Sequence, residues 1–213
     1  DRSGNGVAPA TFGAGSNQPT WLPWKGYAGI YNPGQAGNFV SCPTSAALDI
    51  TGDVDLRATV WLASLTAAQN QTLVGTMRNG DLTGFMFHVS ATGFLQTFHG
   101  NGAAVLTTTC PASLASAGLI PGREYELRAT IDVNDGAGNY AVSFYARRPG
   151  DPWVLLGVTT VAGTTAIAAS GRACYVSQQD NFSARILTGA VLAGCQMQGA
   201  RFDQANMFGA DLQ

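Results

Sequence analysis

Two histidines, His88 and His99, are the side chains of this sequence best suited to acid–base catalysis, and they lie on neighbouring predicted strands. Their positions in the alternating pattern lead us to expect both rings on the same face of one sheet. The sequence contains no G-x-S-x-G elbow, H-E-x-x-H helix or glycine-rich phosphate loop. Structural histidines are therefore favoured over a catalytic base, and the sequence predicts a protein that is not an enzyme.

The segment DITGDVD carries three aspartates, Asp49, Asp53 and Asp55, that are candidates for a calcium site. Calcium takes carboxylates and backbone carbonyls from a loop, although this spacing is not that of an EF-hand. Alternation places Asp53 and Asp55 on the polar face of a strand, where carboxylates are usually solvated. No cofactor is predicted, with calcium at Asp53 and Asp55 as the alternative.

The four cysteines, Cys42, Cys110, Cys174 and Cys195, lie far apart and include no C-x-x-C pair. This spacing argues against a zinc or thioredoxin-type site. Buried free thiols are the favoured interpretation. A disulfide such as Cys174 to Cys195 is the alternative if the protein works outside a cell, since four cysteines allow three pairings.

Aromatic residues are the strongest indication of a binding role. Trp21, Trp24, Tyr27 and Tyr31 cluster in a polar, proline-rich stretch, and Trp61 lies on the otherwise polar face of a predicted strand. Aromatic rings stack on sugars and also anchor protein interfaces. Because the cluster joins an N-terminal segment to the body, subunit packing is favoured over glycan contact and core filling.

The composition excludes two classes of partner. Only 11% of the 213 residues are charged, against a usual value of about 25%. With a net charge of −2 and a single lysine, Lys25, the chain lacks the basic surface that grips nucleic acid. No apolar run reaches the roughly 18 to 20 residues of a membrane span, so no membrane insertion is predicted. The start at Asp1, without a charged and apolar leader, is interpreted as a processed or trimmed end.

The elements that must position these residues are short strands. Residues 54–62 alternate between apolar and polar, as do residues 124–133, and NDGAGN at 134–139 supplies a turn before alternation resumes at residue 140. Roughly a dozen such runs, with hardly a helical stretch, predict two packed antiparallel sheets. Residues 1–25 lack any periodicity and are predicted to form an extended arm held by another subunit.

The C-terminal segment has two interpretations. Large residues recur at strict five-residue spacing from Leu192 to Leu212, with small residues two positions earlier, as in a pentapeptide-repeat coil. Alternatively, residues 184–193 form the last strand of the sandwich and ARFDQ forms a closing strand. Residues 26–193 are therefore assigned to the sandwich, and residues 194–213 to a closing strand or a short pentapeptide-repeat-like tail.

A family resemblance rests on five segments in a characteristic order and spacing: SAALDITGDVDLRATVWL, AQNQTLVG, SATGFLQ, GREYELRATIDVNDGAGNYAVSFYARRPGDPWVLLG and VAGTTAI. They resemble the laminin-G-like, concanavalin A-like jelly-roll modules in virion proteins of phages that infect actinobacteria. The resemblance covers about residues 26–203. It implies an all-β, antiparallel two-sheet jelly-roll sandwich, a place in a minor tail protein or surface appendage, and glycan binding, sometimes with calcium.

These observations lead to a functional prediction with two alternatives. The prediction is a virion structural protein that forms a homo-oligomer, binds other virion proteins and attaches to host cell-surface glycans from the tail or particle surface. The first alternative is a capsid-decorating or cementing protein that binds only virion proteins. The second is a secreted glycan-cleaving enzyme on the same fold, which would need two converging carboxylates.

Overall fold

The computed structural model describes residues 11–12, 20–24, 27–32, 40–42, 44, 46–67, 70–77, 81–176, 190–197 and 200–202. These ranges contain fifteen β-strands and one 3-10 helix, Ala46–Leu48. Among the described residues, no helix is both long and apolar enough to cross a membrane. The strands are β1 Thr11–Phe12, β2 Thr20–Trp24, β3 Tyr27–Asn32, β4 Val40–Cys42, β5 Val54–Leu62, β6 Gln71–Gly75, β7 Phe85–Val89, β8 Phe94–Gly100, β9 Val105–Ser113, β10 Arg123–Asp132, β11 Asn139–Arg147, β12 Val154–Ala162, β13 Cys174–Val176, β14 Ala190–Met197 and β15 Ala200–Phe202.

The strands form two antiparallel sheets. Sheet A has the order β1-β4-β13-β6-β7-β8-β9. Sheet B has the order β12-β11-β10-β5-β14-β3-β2, and β15 pairs with β14 beside this path. Connections that cross between the sheets bring strands distant in sequence together, as where β14 pairs with both β3 and β5. The two-sheet antiparallel arrangement predicted from the sequence is confirmed.

The core lies between the sheets because the strands alternate apolar and polar side chains. Along β5, buried and half-buried residues alternate without interruption, and β11 shows the complementary pattern. Val60, Leu127 and Phe144 are fully buried on the inner face of sheet B, and Phe87 is buried on the inner face of sheet A. Burying each such side chain stabilises the fold by about 1.5–3 kcal/mol.

The two sheets also contact each other along one side of the sandwich, where both end in an edge strand. The edge strands are β9 of sheet A and β12 of sheet B. The Thr159 hydroxyl donates a hydrogen bond of 2.8 Å to the carbonyl oxygen of Thr109, which joins the two strands. This side of the core is therefore closed by direct strand contact.

The predicted hairpin is confirmed, with β10 and β11 paired from Glu126 opposite Arg147 to Asp132 opposite Ala141.

The predicted domain boundaries fall within sheet B. The boundary between residues 25 and 26 lies between β2 and β3, which pair with each other at the edge of that sheet. The boundary between residues 193 and 194 falls inside β14. The division into arm, sandwich and tail stays a prediction.

Candidate ligand-binding surface

The outer face of sheet B carries a group of charged and aromatic side chains that we call the arginine–aromatic ladder. Alternation along β5, β10 and β11 turns these residues away from the core, and Trp153 joins them from the residue before β12. All of them are half-buried rather than fully exposed. The ladder consists of Asp55, Arg57, Glu126, Arg128, Tyr145, Arg147 and Trp153.

Asp55 holds two arginines of the ladder in place. Arg57 Nε and Nη2 donate to the two Asp55 carboxylate oxygens at 3.1 and 2.6 Å, and Arg128 Nε and Nη2 donate to the same oxygens at 3.0 and 2.8 Å. Arg57 and Arg128 are direct cross-strand neighbours, so the shared carboxylate offsets a like-charge repulsion. Burial alone would raise the pKa of Asp55, but hydrogen bonds and charge from both arginines lower it below its usual range.

The second half of the ladder places guanidinium groups against aromatic rings. The Arg128 guanidinium carbon lies 5.0 Å from the Tyr145 ring centroid and 5.8 Å from that of Trp153. The Arg147 guanidinium carbon lies 4.3 Å from the Trp153 centroid, and Arg147 Nε donates to Glu126 Oε2 at 2.6 Å. Cation–π contacts of this kind contribute about 0.5–1 kcal/mol at exposed sites and orient the ring.

A cleft of about 220 Å³ adjoins the ladder at Arg147. It combines apolar walls with the charged groups of Arg147, Arg148 and Asp151, and one wall is fixed by the Tyr125 hydroxyl, which accepts a hydrogen bond from Ile120 N at 3.0 Å. Pockets for drug-sized ligands span about 300–1,000 Å³, so this cleft suits one small polar group such as a single sugar unit. It is lined by Ala117, Gly118, Leu119, Tyr125, Ala146, Arg147, Arg148, Asp151, Pro152, Val154 and Leu156.

Trp61, predicted from the sequence, lies on the same outer face. It is half-buried on β5, opposite Glu124 of β10 and Val191 of β14. Glu124, which lies opposite Trp61, is followed on β10 by Tyr125, which lines the cleft. Trp61 and the cleft are therefore at the same end of sheet B, with β10 between them. The structure therefore places Trp61 and Asp55 on one face.

The other four predicted aromatics lie on the β2–β3 hairpin. The register pairs Trp24 with Tyr27, Thr20 with Tyr31 and Trp21 with Ile30. Their side chains lie outside the residues that the structure describes. A role of this hairpin in subunit packing or glycan contact stays a prediction.

Two of the three aspartates considered for calcium, Asp53 and Asp55, have different partners. Asp53 Oδ1 accepts a hydrogen bond of 2.9 Å from Val133 N and thus ties the start of β5 to the β10–β11 hairpin. Both oxygens of Asp55 are engaged by arginines, which calcium would have to displace. Among the described residues, no group of three or more His, Cys, Asp or Glu could hold a metal ion. The calcium alternative stays a prediction.

The expectation that His88 and His99 share a face is wrong. The hairpin register pairs Phe85 with His99 and His88 with Gln96, and residues 85 and 88 are an odd number apart, so the two rings point to opposite faces. His99 packs in the core edge-on to Tyr140, with ring centroids 5.3 Å apart. His88 Nε2 donates to Gln96 Oε1 at 2.8 Å on the other face. Two histidines separated by a sheet cannot act together in catalysis.

Sequence reasoning missed Tyr145, Trp153 and the pairing of Arg147 with Glu126. The outward positions of Glu126, Arg128, Tyr145 and Arg147 follow from alternation in the predicted hairpin. What alternation does not supply is the register that sets Glu126 opposite Arg147. The approach of Trp153, which belongs to a loop, depends on the complete fold.

Comparison with solved structures shows the fold. The mouse laminin α1 chain, domains LG4-5, aligns with a TM-score of 0.54 and 13% identity over 94% of this chain and 48% of that chain. Domain 4 of an arabinanase from Geobacillus stearothermophilus gives a TM-score of 0.58 and 11% identity, covering 95% of this chain and 85% of that one. The fold is a laminin-G-like jelly-roll sandwich. At these identities the likeness concerns the fold alone.

A third similar structure is the binding domain of botulinum neurotoxin DC, with a TM-score of 0.56 and 10% identity over 94% of this chain and 44% of that chain. This protein thus spans about half the length of the laminin and neurotoxin chains.

The family model for pentapeptide repeats matches residues 181–213, with eight copies. This range begins before the first repeat noted in the sequence, at Leu192. No curated protein matches the sequence.

Proposed function

We propose that this protein is a non-catalytic structural protein of a bacteriophage virion that displays its jelly-roll sandwich on the tail or particle surface and attaches to host surface glycans. The resemblance of residues 26–203 to modules of actinobacterial phages supports the virion location. Two similar folds were solved with ligands: the arabinanase domain with arabinotriose, and the neurotoxin domain with SialylT. The other virion proteins and further copies of this chain would be its permanent partners.

The observation that carries the proposal is the Trp153 ring, which two guanidinium groups contact beside the cleft. A sugar presents apolar C–H faces that stack on an aromatic ring and hydroxyl groups that accept hydrogen bonds from arginine. The ion pairs with Asp55 and Glu126 hold Arg128 and Arg147 before any ligand arrives, so little ordering cost remains. Each contact is weak, and many copies on one particle would add up to firm attachment.

The test is saturable binding of the purified, labelled full chain to intact actinobacterial cells, with soluble cell-wall sugar as competitor. Trp153→Ala removes the ring and leaves the Arg57–Asp55–Arg128 and Arg147–Glu126 pairs intact. We expect about tenfold weaker binding, which corresponds to about 1.4 kcal/mol. Leu82→Ala is the matched control, because Leu82 is an exposed apolar residue remote from the ladder, 41% exposed in the segment before β7.

Three results would count against the proposal. Binding that sugar does not displace, binding that Trp153→Ala leaves unchanged, or no binding by the assembled protein would each exclude glycan attachment through the ladder. The last result would favour the decorating or cementing function, in which the protein binds other virion proteins only.

A further inference from the structure

The arginines of the ladder are already paired with carboxylates of the protein. Arg57 and Arg128 each donate two hydrogen bonds to Asp55, at 2.6–3.1 Å. Arg147 contacts Glu126 Oε2 through Nε at 2.6 Å and through Nη2 at 2.5 Å. Each of the three guanidinium groups therefore has a carboxylate against it before any ligand binds.

The charges around the cleft balance in the same way. Arg148 and Asp151 both line the cleft, and they belong to one turn, in which Asp151 N donates to the Arg148 carbonyl oxygen at 3.0 Å. Glu124 lies beside the ladder on the outer face of β10, whereas Arg123 alternates with it and belongs to the other face. The ladder, the cleft and Glu124 together contain four arginines, Arg57, Arg128, Arg147 and Arg148, and four carboxylates, Asp55, Glu124, Glu126 and Asp151. Their formal charges cancel.

This balance determines which charge a ligand can carry. Proteins bind a phosphate, sulfate or carboxylate chiefly through arginine or lysine side chains whose charge is not already matched. An acidic sugar at the ladder would have to displace Asp55 or Glu126 from a guanidinium group, or lie against those carboxylates with its own charge unpaired. A neutral sugar does neither, because its hydroxyl groups accept from the remaining guanidinium N–H groups and donate to the carboxylate oxygens.

Arg128 retains a hydrogen-bond donor for such a ligand. Its Nε and Nη2 atoms are used by Asp55, whereas Nη1 has no hydrogen-bond partner within the part of the chain that the structure describes. The Arg128 side chain is 23% exposed, and its guanidinium carbon lies near the rings of Tyr145 and Trp153. The surface thus presents aromatic rings and a hydrogen-bond donor without net charge, a combination that suits an uncharged polyol.

We propose that the ladder and its cleft select neutral glycans and reject acidic ones. This inference rests on the proposed function, because it names the class of sugar that the same surface binds. Asp55 and Glu126 are the selecting groups, since each occupies the position at a guanidinium group that the acidic group of a ligand would take. Trp153 stacks on sugars of either class, so it contributes affinity and not selectivity.

The experiment uses actinobacterial cell-wall polysaccharide that anion exchange separates into a neutral and an acidic fraction. Each fraction competes with intact cells for the labelled full chain, and the sugar concentrations at half displacement are compared. We expect the neutral fraction to displace the protein at about tenfold lower concentration than the acidic fraction. Raising NaCl from about 50 to about 500 mM should change cell binding by less than about twofold, because no net charge is matched across the contact.

Glu126→Gln tests the selecting role directly. The amide leaves Arg147 with an unmatched charge beside the cleft, so the preference for the neutral over the acidic fraction should fall about tenfold. Asp135→Asn is the matched control and should keep the wild-type preference. It removes the same charge in the exposed β10–β11 turn, at the opposite end of β11 from Arg147. Circular dichroism melting checks that both variants fold, and the comparison of fractions on the wild-type chain does not depend on either.

The results separate this inference from the proposed function. If the acidic fraction displaces the protein as well as the neutral fraction or better, glycan attachment stands and the inferred selectivity is wrong. A Glu126→Gln variant that keeps the wild-type preference would also overturn the selectivity. If neither fraction displaces the protein, glycan attachment itself is excluded, and the selectivity falls with it.

Discussion

The ring of Pro111 on β9 occupies the space in front of Gly157 on β12: a Cβ atom at residue 157 would lie 2.4 Å from Pro111 Cγ. The edges of the two sheets approach this closely because one residue has no side chain. Together with the hydrogen bond from Thr159 to the Thr109 carbonyl, this contact fixes the spacing between β9 and β12.

Replacing Gly157 by alanine should therefore destabilise the sandwich. The added methyl group must displace the proline ring or the strand, and overpacking of this kind costs about 1–3 kcal/mol. Urea unfolding would measure the change. Gly52→Ala is the control, because a Cβ there meets no atom within 4 Å and should change stability by less than about 0.5 kcal/mol. Equal effects of the two substitutions would contradict the close contact.

Asp55→Asn should lower stability by about 1–3 kcal/mol. The amide keeps the size of the carboxylate but loses its charge, which leaves the cross-strand neighbours Arg57 and Arg128 in direct repulsion. The partial exposure of the group limits the effect through screening. The same change in Asp53, which accepts one backbone hydrogen bond, should cost less. Denaturation at low and high salt would show whether repulsion contributes, since the loss should shrink as salt rises.

Stability should fall as the pH drops from about 6.5 to about 4. Burial lowers the pKa of His88 and of His99 to about 4, so in this window the unfolded chain binds protons that the folded chain does not. Each histidine contributes a loss of at most about 3 kcal/mol, complete near pH 4. Asp55, whose pKa is lowered, acts in a different window, because its contribution is lost only as the pH falls below its usual range.

His99→Phe provides a sharp test of this explanation. Neither ring nitrogen of His99 has a hydrogen-bond partner among the described residues, so phenylalanine removes two buried polar atoms without breaking a bond. We expect stability at pH 7 to be unchanged or higher, and its decline toward pH 4 to be roughly halved. His88→Phe should behave differently at pH 7, because it breaks the hydrogen bond to Gln96. A loss above about 1 kcal/mol for His99→Phe would indicate a hidden partner such as a buried water.

Mild oxidation should join Cys42 to Cys174. The register of β4 and β13 sets these residues directly opposite each other. Opposed residues of an antiparallel pair have Cα atoms about 4.5–5.5 Å apart, within the range that a disulfide spans. Peptide mass spectrometry after oxidation should find this bridge, and thermal unfolding should show a stabilised fold. Cys110 should remain reduced, because it lies on β9 at the far edge of sheet A from β4. A Cys174–Cys195 bridge, the alternative from the sequence, would instead join β13 of sheet A to β14 of sheet B, and finding it would contradict the Cys42–Cys174 prediction.

Local pattern was sufficient to predict β5, β10 and β11 and their faces, but not β1 and β2, which lie in residues 1–25 where the sequence shows no periodicity. The alternation of β5 places Asp55 and Trp61 outward, and the NDGAGN turn predicts the β10–β11 hairpin, because both depend on neighbouring residues only. The error for His88 and His99 has a specific cause: alternation fixes faces within a strand, whereas the register across a turn relates one strand to the next.

The candidate site was harder to predict because its contacts are non-local. Asp55 accepts hydrogen bonds from Arg128, which lies 73 residues later in the sequence. Trp153 contacts Arg147 and Arg128 from a loop whose path depends on the whole sheet. The opposition of Cys42 and Cys174 likewise requires the crossing between sheets. Sequence pattern supplies the residues that face outward, and the topology determines which of them meet.

The position of β14 between β3 and β5 has a consequence for the order of events during synthesis. The β2–β3 hairpin is made long before β14, yet in the described part of sheet B it joins the sheet only through that strand, which begins at Ala190. Until that strand emerges from the ribosome, β5 presents an open edge in the middle of the future sheet. The sheet can therefore be completed only after β14 has been synthesised, and nascent chains stalled before residue 190 are those most exposed to misassociation.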